Sequence, residues 1–287
     1  MDLSHILVNY HSREPLLEVL ASLPNGAAEL ESETVVIDNS PGDGTAEALA
    51  ARFPAARIIA NAENVGYARA VNQGLGATSG AFVLVMNPDC EVPAGAIRIL
   101  VDHLRAYPRV GIAGPRILNP DGTLEYSARA FPDPFTFLFN RYSLLTRLFP
   151  GNPWSRRYLM TDWDHASMRE VDWLSGACMV VRRAAIDEVG PMDEAFFMFN
   201  EDVDWCRRMK RAGWAVVYVP EATVVHHIGA SRKRTANRVI LERHRGMIHY
   251  FRKHHPSNPI LSALVGALIT LRAWLMVAAN ALKSRGG

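Results

Sequence analysis

Short apolar runs alternate with longer amphipathic stretches through the N-terminal part of the chain. Residues 6–8, 34–37, 57–60, 81–86 and 110–113 are apolar without a polar residue at every second place. That pattern fits strands covered on both faces. Between the runs, Leu16, Leu20 and Leu23 share one face of a segment opening at Pro15. Ala46, Leu49 and Phe53 line a second segment, capped by Asp43 or Thr45. A third covers 66–77. Ile97, Leu100, Val101 and Leu104 make the stripe of a fourth, opened by Pro93. Strand–helix alternation of this kind predicts an α/β domain with a mostly parallel sheet and right-handed crossovers.

Periodicity weakens over 124–170, where prolines and Phe131, Phe135, Phe137, Phe139 and Trp154 interrupt it. Such an insertion serves either as a lid or acceptor surface, or as a loop packed on the sheet. Order returns with a strand-like run over 171–181 and a helix from Arg183. An apolar run at 196–199 leads into a helix that ends at Gly213, and strands are expected at 214–219 and 223–227, separated by Pro220. Residues 260–282 carry a single charge, Arg272. Their length could span a bilayer, but a mid-span arginine costs about 2.5–3.5 kcal/mol on insertion scales. A helix lying in the membrane interface is the preferred reading, ahead of a buried terminal helix or a span.

Composition adds little to the fold and more to its setting. With 287 residues and 49% apolar content the chain can bury a large core, which excludes intrinsic disorder. A net charge of +2 does not suggest a nucleic-acid partner. The basic residues cluster instead between 228 and 255, where Arg232, Lys233, Arg234, Arg238, Arg243, Arg245, Arg252 and Lys253 face one acid, Glu242. Such a run would anchor the terminal helix on an anionic surface. Cys90, Cys178 and Cys206 form no CxxC, so a disulfide framework or zinc site is not expected and a reducing cytoplasm fits. The N-terminus lacks the pattern of a secretory signal.

The candidate chemistry sits where runs end. Asp38 follows the second apolar run, and Asn87-Pro88-Asp89 follows the fourth. Both aspartates fall at the strand edge where open α/β sheets collect ligands. Asp89 reads as a ligand-facing carboxylate for a divalent cation or as a cap before Pro93. The second copy, Asn119-Pro120-Asp121-Gly122, has no such run before it and reads as a turn. Asn64-Val65-Gly66 lets the backbone approach a ligand closely, with Arg69 one turn into the helix. Glu201 and Asp202 open a helix behind the apolar run, as caps or as a general base held at the rim of a dry pocket. His226 and His227 point to opposite faces of a strand, so at most one faces the site. Imidazole is an acceptable second ligand for manganese.

Taken in order, Val8-Asn9-Tyr10, Val36-Ile37-Asp38-Asn39-Ser40, Asn64-x-Gly66 with Asn72, Asn87-Pro88-Asp89, Ser175-Gly176-Ala177, Glu201-Asp202-x-Asp204 and His226-x-x-Gly229-x-Ser231 resemble the bacterial family 2 glycosyltransferases, especially rhamnosyltransferase-like members. The resemblance covers about 6–231. It implies a GT-A (Rossmann-like) domain over 1–231, followed by a membrane-associated helical extension over 232–287. The family's Asp-x-Asp metal motif has Asn87 at its first position here. Carried over by motif, Asp89 and His226 would hold Mg2+ or Mn2+. Asn9, Tyr10, Asp38, Asn64, Gly66, Arg69, Asn87, Arg232 and Lys233 would contact the nucleotide-sugar donor, with Asp38 reading the base. Asp202 would be the general base beside Glu201, and Trp173, Ser175, Gly176 and Asp204 would meet the acceptor. The resemblance further implies inverting transfer, with dTDP-L-rhamnose a common donor. Acceptors would be lipid-linked or cell-surface glycans at the inner face of the plasma membrane. Two other readings stay open on sequence: a sugar nucleotidyltransferase, although no glycine-rich basic loop follows the first run, and a non-catalytic scaffold of the same fold.

Overall fold

The computed structural model describes residues 1–133, 136, 148–149, 151–227, 236–255 and 258–283. The chain begins β1 (Leu3–Asn9), α1 (Arg13–Ala27), β2 (Ser32–Asp38), α2 (Thr45–Arg52), β3 (Arg57–Ala60), α3 (Tyr67–Gly76) and β4 (Phe82–Met86). These strands pair in parallel in the order β3-β2-β1-β4. The apolar runs of β1, β2 and β4 are uninterrupted because both faces are covered, whereas β3 at the edge is only partly buried. Leu3, Leu7, Val36, Leu84 and Met86 face a core layer with α1 and α2; Ile6, Val8, Val35, Ile37, Val83 and Val85 face the opposite layer. Alternate residues of one strand thus serve two cores.

The middle of the chain adds β5 (Cys90–Glu91), α4 (Ala96–Ala106), β6 (Val110–Leu118), β7 (Leu124–Glu125) and β8 (Ala128–Arg129). The helix expected to open at Pro93 opens at Ala96 instead, behind Gly95 at φ 74. The Pro93 carbonyl accepts from the Ala96 amide at 3.2 Å. Asn119-Pro120-Asp121-Gly122 is the turn that its residues predict, with Gly122 at φ 80, and it joins β6 to β7. Of the aromatic insertion, the described part beyond β7 and β8 holds α5 (Pro153–Leu159) and β9 (Arg169–Glu170). Trp163 and His165 pack on Tyr218 of the sheet, while Phe135, Phe137 and Phe139 lie outside the described residues.

Then follow β10 (Trp173–Leu174), β11 (Cys178–Arg182), α6 (Arg183–Val189), α7 (Glu201–Arg211) and β12 (Ala215–His226). The single strand expected over 171–181 is broken by a turn at Ser175-Gly176-Ala177; β10 leaves to pair with β8, and only β11 enters the main sheet. Conversely, the two strands expected around Pro220 are one. β12 absorbs the missing proline donor in a register shift between Val219 and Thr223 and continues along β6. The main order is β3-β2-β1-β4-β11-β6-β12-β5, with β7 added on β6 and β9 on β12, and β11 is antiparallel to both neighbours. Two C-terminal helices, α8 (Ala236–His254) and α9 (Pro259–Lys283), finish the chain. Tyr250, Phe251 and Ile269 join the second core layer, whereas Leu264, Leu268, Leu271, Trp274 and Leu275 stay more than half exposed. All three cysteines are free and buried.

Candidate active site

The reversed direction of β11 makes the site. β1, β2 and β4 deliver Tyr10, Asn39 and Asn87-Pro88-Asp89 at their carboxyl ends. β11, running the other way, begins where they finish. The Asn87 amide accordingly donates to the Ala177 carbonyl at 2.9 Å, which brings Gly176 to the same edge. The exit of β12 reaches it through β5: His226 pairs with Cys90, and the His227 amide donates to the Asp89 carbonyl at 2.8 Å. The start of α7 closes the far side. Asn64, Gly66, Asp89, Gly176, Asp202 and His226 thereby line one cleft of ≈ 370 Å³.

Asp89 and His226 face each other, with Oδ1 to Nε2 at 3.1 Å. Behind the ring, Nδ1 lies 2.8 Å from Glu125 Oε2, a carboxylate that fixes the ring's orientation. Burial would lower the His226 pKa, but hydrogen bonds and charge from Asp89 and Glu125 outweigh it and raise the pKa to about 9. Cys90 Sγ also lies close to Asp89 and His226. Burial pushes its thiol far above the ordinary range, and Sγ donates to the Ala177 carbonyl at 3.3 Å, so it is no ligand for a hard cation. One carboxylate oxygen and one imidazole nitrogen, oriented from behind and open to a cleft, fit Mn2+ or Mg2+ that takes its remaining ligands from phosphate and water.

Glu201 and Asp202 are adjacent but differently housed. Asp202 Oδ2 accepts from the Gly176 amide at 3.0 Å, and Oδ1 accepts from the Val203 amide at 2.8 Å. Glu201 Oε2 is buried without a hydrogen-bond partner among the described residues. Burial raises both carboxyl pKa values, and the charge of Asp202 raises that of Glu201 further. The donors around Asp202 mean that the pair's first proton settles on Glu201 and its negative charge stays on Asp202. The Tyr67 hydroxyl, donating to the Gly176 carbonyl at 3.2 Å, ties α3 to the same turn.

The loop before α7 is held from two sides. Phe199 and Asn200 have φ of 68 and 71, costly for non-glycine residues. On one side, Gly66 at φ 91 leaves no room for a side chain, since an added Cβ would lie 2.6 Å from the Phe197 carbonyl oxygen. That carbonyl accepts from the Tyr67 amide at 2.6 Å. On the other, Gly246 of α8 comes so close that an added Cβ would lie 2.7 Å from the Phe199 carbonyl oxygen.

Most of the expected residues that are described gather here, two stand behind the lining and two point elsewhere. Tyr10, Asn64, Gly66, Asn87, Trp173, Ser175 and Gly176 line the cleft. Asn9 and Asp38 sit buried behind it. Asp38 Oδ1 accepts from Asn9 Nδ2 at 2.9 Å and from the Ser40 amide at 3.0 Å. Arg69 instead points outward: its side chain is 60% exposed and lies 3.9 Å from Glu194. Asp204, expected at the acceptor, is fully buried against Arg208, Lys253 and His254. Two residues along a helix turn a side chain through ~200°, so Asp204 faces away when Asp202 faces the cleft. Arg232 and Lys233, with Gly229 and Ser231, lie outside the described residues. Sequence reasoning missed Glu125, Arg129 and Tyr158 among the lining residues, and Arg238, Arg243, Arg272 and Met276 from the last two helices. The lone charge in 260–282 was the available signal for Arg272.

Residues 4–190 match the family described as Glycosyl transferase family 2. The chain is 35% identical to the N-acetylglucosaminyl-diphospho-decaprenol L-rhamnosyltransferase of Mycobacterium tuberculosis, over 98% of this chain and 94% of that one. It is 26% identical to the low-salt glycan biosynthesis hexosyltransferase Agl10 of Haloferax volcanii, over 96% of this chain and 84% of that one. The fold matches the mannosyltransferase PcManGT from Pyrobaculum calidifontis, solved with GDP-Man and Mn2+. The TM-score is 0.59 at 17% identity, covering 99% of this chain and 79% of that one. It also matches GalNAc-T7, solved with UDP, GalNAc and Mn2+, with a TM-score of 0.60 at 16% identity, over 79% of this chain and 44% of that one. At those identities the likeness is one of fold, and the fold is GT-A.

Proposed function

The chain belongs to glycosyl transferase family 2, and from that premise we propose that it moves L-rhamnose from dTDP-L-rhamnose onto a hydroxyl of a lipid-linked N-acetylglucosaminyl diphosphate, with inversion. The setting is the cytoplasmic face of the plasma membrane, with the chain peripheral to it. The observation that carries this reading is the meeting of Asp89–His226 and Glu201–Asp202 on one cleft. The acceptor class follows the relative from Mycobacterium tuberculosis, whose name specifies N-acetylglucosaminyl-diphospho-decaprenol.

Asp38, braced by Asn9, would receive the donor's base, and Tyr10 and Asn64 would flank the nucleotide. Gly66 lets the backbone of α3 approach the diphosphate. Arg232 and Lys233 would close over it. Asp89 and His226 would hold Mg2+ or Mn2+, which would supply charge neutralisation for the diphosphate. Asp202 takes the proton from the acceptor hydroxyl as its oxygen bonds to the anomeric carbon. The bond from that carbon to the diphosphate oxygen breaks, and its electron pair leaves with the nucleoside diphosphate. Trp173, Ser175 and Gly176 would position the acceptor sugar. Glu201 stays protonated and adds no second charge. Because burial raises the Asp202 pKa and the base acts ionised, turnover should fall on the acid side at a higher pH than an ordinary aspartate would give.

The test is a panel of nucleotide-sugars with a synthetic N-acetylglucosaminyl-diphospho-isoprenoid and Mn2+, product configuration being read by NMR. Transfer from dTDP-L-rhamnose with inverted configuration is expected. Asp202→Asn should lower turnover about 10²–10⁴-fold while leaving donor binding intact. Near-normal turnover by that variant would remove Asp202 from its role, and transfer from a different donor only would refute rhamnose.

A further inference from the structure

A second chemistry lines the same cleft, contributed by the C-terminal helices. Arg243 of α8 and Arg272 of α9 both face it, as does Met276. Arg243 stacks over Phe199, 4.5 Å from the ring centroid, just before the Glu201–Asp202 pair. Arg272 is the single charge in residues 260–282 of the apolar α9, and it is turned to the cleft. Burial and then the charge of Arg243 lower the Arg272 pKa, so the two cations are near enough to repel. A pair of guanidinium groups held together on a cleft wall is matched to an anion with several oxygens, for which their planar forks are suited.

The orientation of α9 says what carries that anion. Ile269 and Ala273 pack inward beside Arg272. The stripe Leu264, Leu268, Leu271 and Leu275, about 40–100° around the helix from Arg272 and on the side away from Ile269 and Ala273, remains 52–62% exposed. One helix therefore offers a cation to the cleft and an apolar stripe to its surroundings at the same level. Soluble diphosphates need only the first. An isoprenoid diphosphate uses both.

We propose that Arg243 and Arg272 form the subsite for the diphosphate of the lipid-linked acceptor, with Met276 and the leucine stripe of α9 taking the start of its isoprenoid chain. The assignment rests on the glycosyl-transfer reading of the cleft. It places the acceptor's anion on the helical wall, apart from the Asp89–His226 wall assigned to the donor.

Calorimetry on the full chain with farnesyl diphosphate tests it, with inorganic pyrophosphate, farnesol and dTDP as comparison ligands. Arg243→Gln and Arg272→Gln should each weaken farnesyl diphosphate binding about 10–100-fold, the size expected for charge-assisted hydrogen bonds. Binding of dTDP should change less than about twofold on the same scale. Arg243→Lys and Arg272→Lys keep the charge but lose the fork. They should show a smaller loss in the same direction, which keeps the test open if the glutamine variants misfold. Unchanged farnesyl diphosphate affinity would overturn the proposal. Equal losses for dTDP would reassign the arginines to the donor, and wild-type binding of pyrophosphate as tight as that of farnesyl diphosphate would refute the role of α9. Donor hydrolysis by the wild-type chain, measured separately, tests the glycosyl-transfer reading itself.

Discussion

Glu125 shows what single residues do here beyond their visible motifs. It lies in a two-residue strand after a turn, with nothing in Thr-Leu-Glu-Tyr to mark it, yet it holds the His226 ring from behind. Removing a partner of this kind costs about 10–100-fold in metal affinity. Glu125→Ala should therefore raise the Mn2+ concentration needed for half-maximal activity by about that factor, with turnover largely restored at saturating metal. A metal titration of initial rates checks it. The approach of Asp89, Asp202 and His226 to one edge was legible because each lies within three residues of the end of an apolar run, and a charge beside a buried run has few reasons to be there. Glu125, Arg243 and Arg272 were not, because their approach to the site depends on how distant segments meet. Arg69 and Asp204 were misplaced for a related reason: neighbouring positions on a helix do not share a direction.

At the level of elements, the β-α alternation was legible through β4, since continuous apolar runs and single-faced stripes report burial directly. The β10–β11 break and the unbroken β12 were not. Turn geometry at Ser175-Gly176-Ala177 and the register shift at Pro220 are set by partner strands that local sequence does not identify. The strained loop before α7 is likewise a tertiary product, pressed between Gly66 and Gly246. Gly246→Val should push α8 off the Phe199 carbonyl, costing about 1–3 kcal/mol of stability as overpacking does. It should also lower turnover more than donor affinity. Gly266→Ala on α9, whose added Cβ would among the described residues meet only Arg252 at 4.0 Å, should leave both unharmed. Thermal melts and steady-state kinetics on the two variants decide it.

For the molecule as a whole, the distribution of apolar and basic surface matters more than net charge. α9 keeps a leucine face exposed, while α8 carries Arg238, Arg245 and Arg252 on its exposed side. Each leucine withdrawn from water contributes about 1.5–3 kcal/mol, and basic residues near an anionic surface add to that. The chain should co-sediment with anionic vesicles, less so at high salt. Leu261→Ser with Leu264→Ser should weaken partitioning about tenfold or more, leaving the thermal midpoint nearly unchanged because neither side chain supports the core. Failure of the pair to alter sedimentation would detach α9 from the membrane.

The double contact of the 196–200 loop has a mechanical corollary. A single peptide stretch abuts the α3 amide at one flank and α8 at the other, so it behaves as a shim with no slack. In the proposed setting, a tilt of the terminal helix pair on a bilayer would displace the Phe197 carbonyl, and with it the Tyr67 amide that donates to it. On the proposed reading, docking on the surface would then also reset the α3 end of the donor site.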